Sequence, residues 1–475
     1  MNKLHFMFNT CKRFGCSAAL AVVFVLLVGA ANAWAITVWT VSKASSNGTC
    51  GPGATTCNTI QSAVIAASPG DVINVGPGTY NETVGIGKPN LSLLGAQAGK
   101  DAWVDRNDPT NESIVDASGS PAGFGGGAAF FVNANNIVID GFTIQGGANG
   151  KTPNASGIYV TPNGNISQIL NNIIQDNAIG LYFGAVYVAP YWYNSYFVIV
   201  KHNLLKTNNA GASGLSTRPI AGQQGFGIVG FISGDGTNIT ENQFIGNKAT
   251  AILLAGISRQ VPCTNVAITG NTSYEDGSFV VLGNCYNVII SRNQGKNFGA
   301  QGIWPVTGSN KATAAIDALI WNRALQINDN DLEEGGVPEY SGIDFLGEGA
   351  NYVCFMCQVT NNTIKRFSGN GIVAEASAAG STLQWSGVSG NIVEDNGEDG
   401  ILIGATPPNG SGNKYNEYIS LVDNLARGNQ GKDCEDDTVG GGLTPILTLG
   451  RANTWTHNLG GSSSPNGLCS QAPLY

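Results

Sequence analysis

The sequence predicts an all-β solenoid, one chain wound into a coil of short parallel strands. Three observations predict it. The first is a repeat. Cys263-Thr-Asn-Val-Ala-Ile-Thr-Gly-Asn271 is followed 22 residues later by Cys285-Tyr-Asn-Val-Ile-Ile-Ser-Arg-Asn293, with Cys, Val, Ile and Asn in matching places. A fixed offset with a shared apolar alternation marks a unit that stacks on itself. The second is the spread of that pattern from Ile137 onward. The template is apolar, any, apolar, two residues, then Asn, any, apolar. Phe142 stands in for Asn at the start; Asn172, Asn203, Asn242, Asn271, Asn293, Asn330, Asn362, Asn391, Asn424 and, weakly, Asn458 follow. The third is composition. With Gly 66 and charged residues at 12%, a helical protein is disfavoured, because each Gly weakens a helix interior by about 1 kcal/mol.

Met1 to Ala35 reads as a secretory signal. Lys3, Lys12 and Arg13 supply the positive start, Ala18 to Ala31 the apolar run, and Ala31-Asn-Ala33 or Ala33-Trp-Ala35 a small-residue cleavage site. The run is short for a membrane span, and no later segment is long and apolar enough for one. A secreted protein, free, periplasmic or at the cell surface, is therefore expected, with no membrane attachment after signal removal. Residues 36–475 then form one domain, with an N-terminal cap over about 36–80 and a C-terminal cap over about 430–475. A monomer is expected.

Cys50 to Cys57 brackets a Gly/Pro loop. Thr59 to Ala67 is the one good helical run; Thr59 can cap it, and Ile60, Val64 and Ala67 share a face. Val72 to Val75 is a short strand closed by the turn Gly76-Pro-Gly78, and Leu91-Ser-Leu93 is the next. Each later unit has three short strands with no helix between, which excludes a doubly wound sheet. A coil climbing one strand per turn puts successive Asn side chains about 4.8 Å apart. There each amide can donate to the next carbonyl, and the ladder satisfies a polar group that would otherwise cost about 1–3 kcal/mol per turn.

The eight cysteines outside the signal fall into near neighbours. Cys50/Cys57, Cys263/Cys285 and Cys434/Cys469 read as disulfides. Cys263 and Cys285 sit eight residues before ladder asparagines in adjacent coils, so their Cα atoms should fall in the roughly 4.4–6.8 Å range a disulfide needs. Cys354 faces Asn322 in the neighbouring coil, so its only partner is Cys357, and that bridge needs a turn; alternatively Cys357 is a free core thiol.

The run Thr59-Ile-Gln-Ser-Ala63, Ser68-Pro-Gly-Asp71 and Val75-Gly-Pro-Gly-Thr-Tyr80, followed by the Asn repeats, resembles the right-handed parallel β-helix proteins of the pectin-lyase-like superfamily. The resemblance covers essentially all of the mature chain. It implies a helix capping the open core at the N-terminus and a C-terminal cap, and its precedent is polysaccharide processing by lyases, epimerases or hydrolases. The signatures of those activities are absent: no Gly-His-Gly, no Trp-Ile-Asp-His, no Arg-X-Pro-X-X-Arg and no Asp-Pro-His.

After the ladder Asn, most units carry a polar turn and then Gly-Ile or a near equivalent, such as Gly302-Ile, Gly342-Ile and Gly371-Ile. The longest insertions follow that strand, at 183–196, 256–262, 306–317, 347–352, 377–384 and 405–415, with 206–224 preceding it in one coil. A rigid floor between raised loops is a groove, where function usually lies. If the Ile points in, the next residue points out: Tyr159, Tyr182, Val229, Leu253, Val280, Trp304, Asp344, Val373 and Leu402. With Tyr191 and Trp192 in the first wall loop, Tyr159, Tyr182 and Trp304 are the candidate sugar-stacking residues; the alternative is that such rings cover the loop's own small core.

Asp344 and Glu375 are diagonal on stacked strands, some 7–8 Å apart, a separation compatible with an acid/base pair across a water. Glu348 and Asp399 are close in register. Such a cluster could instead hold a hard cation, so Ca²⁺ is a possible cofactor, or be a solvated acidic surface. Arg218 and Arg259 are the basic candidates, able to neutralise a uronate or assist proton abstraction. His202 and His457 precede ladder asparagines, away from the groove. A net charge of −9 disfavours nucleic acid. Two functions remain: a secreted carbohydrate-active enzyme working along the groove, or a non-catalytic β-helix binding glycans or surfaces.

Overall fold

In a computed structural model the chain passes through the same three strands turn after turn, each pairing in parallel with its counterpart in the coils above and below. The structure describes residues 36–471 apart from short stretches, chiefly 120–126, 148–154, 211–223, 301–312, 347–353, 376–382, 405–415 and 446–452. Residues 1–35, read from the sequence as a secretory signal, lie outside the described residues. Sheet 1, of 15 strands, holds the template strand before each ladder Asn; sheet 2, of 12, follows the Asn; sheet 3, of 13, holds the Gly-Ile strands. The architecture is a right-handed parallel β-helix.

The ladder forms as the spacing predicts. Asn172 donates through Nδ2 to Asn203 Oδ1 at 3.1 Å, Asn203 to Asn242 at 2.9 Å, and so on to Asn424 and Asn458 at 2.8 Å. Each interior rung is fully satisfied. Asn293 Nδ2 donates to Asn330 Oδ1 and to the carbonyl of Ile268, and its Oδ1 accepts both the backbone N–H and the side-chain N–H of Asn271. The residue before each rung is left-handed: Asn171, His202, Glu241, Arg292, Asp329 and Asn361 all have φ between 52° and 57°. That conformation makes the sharp corner between sheets 1 and 2, and it favours Asn, Asp and His among non-glycine residues.

A second ladder, not anticipated from the sequence, lies five residues after the first. Asn177 donates to Asn208, Asn208 to Asn247, and Asn247 to Asp276; Asn396 and Asn429 resume it further along. The spacing Asn-X4-Asn was its signal. It bears on the glycine before the inward apolar residue wherever a ladder amide lies alongside, as at Gly157, Gly180, Gly371 and Gly400. A Cβ on Gly180 would lie 2.6 Å from the Gly227 carbonyl and 2.9 Å from Asn208 Nδ2, so only glycine lets the coils stack beside the amides.

Asp276 ends the first run of this ladder, fully buried. Desolvation lifts its carboxyl to about 7, against the pull of bonds from Ser273 and Asn247. A carboxylate raised in the folded state gives stability below its ordinary value that is lost as pH rises through about 7. Asp276→Asn keeps the acceptor for both Asn247 donors and turns an amide toward Ser273 Oγ. The variant should equal the parent near pH 4 and exceed it above pH 8, by on the order of a few kcal/mol at about 1.4 kcal/mol per tenfold change in proton affinity. Urea melts at the two pH values check this.

The helix Ile60–Ala66 covers the N-terminal end of the core with Ile60, Ala63 and Val64 buried. Thr59 occupies the N-cap position without a side-chain cap bond. Glu82 does that work instead: its two carboxylate oxygens accept the N–H groups of Ile60 and Gln61, each at 2.9 Å. A carboxylate meets two orphan donors and the positive helix end together.

Cys50–Cys57 and Cys434–Cys469 are bridged. Cys354–Cys357 is bridged too, and Met356, at φ 59°, supplies the turn it requires. Cys263 and Cys285 correct the sequence reading. They are register partners on adjacent strands of a short fourth sheet, as the repeat demanded, yet both are free and buried. In-register neighbours in a parallel pair point their Cβ atoms the same way, about 4.8 Å apart, beyond the roughly 3.5–4.5 Å a bridge prefers. Under denaturing conditions without reductant, alkylation should label these two cysteines alone among the eight; a disulfide-linked 263–285 peptide would contradict the structure.

Candidate functional site on the outer face of sheet 3

The outward row of sheet 3 can now be read from strand register. Phe131, Tyr159, Tyr182 and Val229 occupy successive coils. Leu253, Val281 and Asp317 continue the row, then Asp344, Val373, Leu402 and Glu435. Two sequence assignments are corrected. Val281 points outward, while Val280 pairs with Ile252 and belongs to the core. The place given to Trp304 is held by Asp317, because that coil's strand is Ala314–Ala318 and not the Gly302-Ile segment. Ala315-Ile-Asp317 has no glycine, so the Gly-Ile marker missed it. The matching Ile-Asp of Gly342-Ile-Asp344 was the signal available.

The correction brings two carboxylates together. Asp317 and Asp344 are direct register partners, so their Cα atoms lie one strand spacing, about 4.8 Å, apart. Thr313 holds both: its N–H donates to Asp317 Oδ2 at 3.3 Å and its Oγ1 to Asp344 Oδ2 at 3.1 Å. Both are shielded, with 1% and 6% of their surface exposed. Beneath them Tyr340 is fully buried, its hydroxyl within 2.8 Å of the carbonyls of Ala314 and Gly277. Burial first, and the charge of Asp317 second, push its hydroxyl well above the usual tyrosine value, so it stays protonated.

The row's two ends differ. Toward the N-terminus the rings of Phe131, Tyr159, Tyr182 and Phe231 follow one another at 5.1–6.5 Å. Tyr182, Val229, Leu253 and Val281 are buried in a second apolar cluster separate from the coil's core. This half of the floor is covered. Toward the C-terminus, Glu435 is pushed up to about 7 by desolvation, then by the charges of Asp399 and Asp437 and a shared hydrogen bond with Asp399.

Glu375 lies diagonal to Asp344, since its backbone pairs with Leu346 and Val373 pairs with Asp344; its side chain lies outside the described residues. Tyr191 and Trp192 are in an antiparallel hairpin, Val186–Val188 with Tyr191–Tyr193, and their side chains also fall outside. So do Arg218, Arg259, Trp304 and Glu348 altogether. Acidic residues of the segments Glu394–Asp399 and Asp433–Asp437 are used internally. Glu394 pairs with Lys365 and Arg427, and Asp436 accepts from Trp455 Nε1 and Thr438. Among the described residues no group of three or more His, Cys, Asp or Glu side chains is placed to hold a metal. His202 pairs with Glu241 at 2.6 Å on the ladder corner, away from this face.

No family model matches the sequence, and no curated protein does. Solved structures do match. The catalytic unit of a thermostable GH87 α-1,3-glucanase from Streptomyces thermodiastaticus has a TM-score of 0.51 at 15% identity, over 83% of this chain and 69% of its own. The A-module of a mannuronan C-5 epimerase from Azotobacter vinelandii has a TM-score of 0.51 at 13% identity, over 88% of this chain and 99% of its own. The shared fold is the right-handed parallel β-helix. Identity this low speaks to the fold alone, and any function has to be read from the chain's own residues.

Proposed function

We propose that this β-helix is an exported carbohydrate-active enzyme that cleaves glycosidic bonds on the outer face of sheet 3, with Asp317 and Asp344 as its acid and base or nucleophile. One observation carries the reading: two carboxylates in register on neighbouring coils, both held by Thr313. Glycoside hydrolysis needs such a carboxyl pair, one to protonate the leaving oxygen and one to act on the sugar or on water. A site shielded from water strengthens both roles. The α-1,3-glucanase and epimerase neighbours support a carbohydrate substrate. Three disulfides support an oxidising compartment, and among the described residues no helix is long and apolar enough to cross a membrane.

The test is a depolymerisation screen over neutral and uronate polysaccharides, with Ca²⁺ or with EDTA. Products are read as reducing ends and by the absorbance of unsaturated uronates. New reducing ends without that absorbance are expected. Unsaturated products would assign a lyase instead, and would turn attention to Arg218, Arg259 and Ca²⁺. A non-catalytic glycan binder would instead be retained on a glycan and release no new ends.

A further inference from the structure

We infer that the β-helix carries a second glycan-binding cleft on the outer face of sheet 2, a different face of the coil from the carboxylate pair. The insertion after Ser92–Leu94 folds over this face and presents Trp103, 54% exposed. Below it lies a cavity of about 560 Å³ floored by Gln243, Thr272, Gln294 and Tyr274. A second, of about 320 Å³, adjoins it under the same tryptophan.

The insertion is anchored, not loose. Arg106 is buried beneath it, donating through Nε to Glu112 at 3.0 Å and through Nη2 to Thr143 Oγ1 at 3.1 Å, and reaching the Asn171 carbonyl. Asp101 Oδ1 accepts the N–H groups of Trp103 and Val104, and the Ala102 N–H donates to the His202 carbonyl. Gly141 shows how closely it packs: a Cβ there would lie 2.1 Å from the Ala98 nitrogen. A buried ion pair is costly to desolvate. Here it fixes a loop whose tip leaves a large ring in water, the reverse of what packing alone favours.

The floor suits a polymer of repeating neutral units. Gln243, Thr272, Gln294 and Asp331 are register partners on four successive coils, so hydrogen-bonding side chains recur about every 4.8 Å. Tyr274, 41% exposed, stands beside them, and with Trp103 offers two rings for the apolar faces of sugars. The cation at the cleft is already matched. Lys296 pairs with Glu333 at 3.3 Å, and the same row continues as Lys365, Glu394 and Arg427 in mutual ion pairs. Among the described residues lining the cleft, no net cationic charge is left for a uronate or a phosphate, so the chemistry points to a neutral glycan.

The cleft can be tested apart from any turnover. Affinity electrophoresis in mixed-linkage β-glucan, pullulan and alginate, with a pull-down on insoluble α-1,3-glucan, reads binding alone. At least one neutral glycan should retain the protein. Trp103→Ala and Tyr274→Ala should each weaken that retention about tenfold or more. Trp103→Phe should keep most of it, with melting temperatures unchanged throughout. The Asp317→Asn/Asp344→Asn double variant should bind as the parent does. Retention by alginate alone, no retention by any neutral glycan, or retention that survives both ring deletions would overturn the cleft. Loss of binding in the double aspartate variant alone would move the binding to sheet 3.

Discussion

Asp344→Asn and Asp317→Asn should each lower turnover by roughly 10²–10⁴-fold on whichever glycan is cleaved, the range by which one positioned acid or base contributes. Both changes preserve shape. In Asp344→Asn the new amide oxygen would still accept from Thr313 Oγ1, so the fold should hold, and melting temperatures should move little. The double variant should lose scarcely more than the worse single one, because residues that act as a unit are not additive. Thr313→Val, which removes the hydroxyl held by Asp344, should cost less than either. Glu435→Gln is the internal comparison. Glu435 shares the outward row but stands three coils from Asp344. If it carries the reaction with Asp399, its substitution abolishes turnover and the Asp317 and Asp344 variants remain active. Initial rates of reducing-end release decide between the two pairs.

The fold was legible because a solenoid writes its geometry locally. Each rung, from Asn172 to Asn458, sits at a fixed place in its own unit, and stacking follows from repetition without any long-range guess. Even Cys354 facing Asn322 was readable from the same count. The candidate site was legible only in part, for two physical reasons. Inward alternation was inferred from a glycine marker whose cause is the close approach of the next coil: a Cβ on Gly180 or Gly342 would lie 2.6 or 2.7 Å from a backbone carbonyl there. Where Ala315 takes that place, the marker vanished and Asp317 with it. Exposure was the other gap. Tyr182 and Leu253 point outward as read, yet they are buried in a second apolar cluster. Alternation says which way a side chain points, not what lies over it. The free Cys263 and Cys285 show the same limit: register fixes Cα separation, while bridging depends on Cβ direction.

Removing one interior rung should be the most damaging single change to stability. Asn293→Ala deletes an amide that makes four buried hydrogen bonds, two donated at 2.9 and 3.0 Å and two accepted at 2.9 and 3.1 Å. Each partner is buried in a corner and loses its bond, at about 1–3 kcal/mol per orphaned group. Relaxation and water entry will recover some of this, so a loss of roughly 3–5 kcal/mol is expected, at the upper end of what point substitutions cost. Asn458→Ala supplies the scale. That residue ends the ladder: it donates to the Leu421 carbonyl and accepts from Asn424, with no rung beyond it among the described residues. Its loss should cost clearly less. Asn293→Asp keeps the acceptor but loses both donated bonds and adds a buried charge, so it should be worse than alanine at neutral pH and recover in acid. Urea unfolding of the three variants, followed by far-UV circular dichroism at pH 4 and pH 7, orders them. Equal midpoints for Asn293→Ala and Asn458→Ala would mean that the coil is held by its apolar columns, with the amides as passengers.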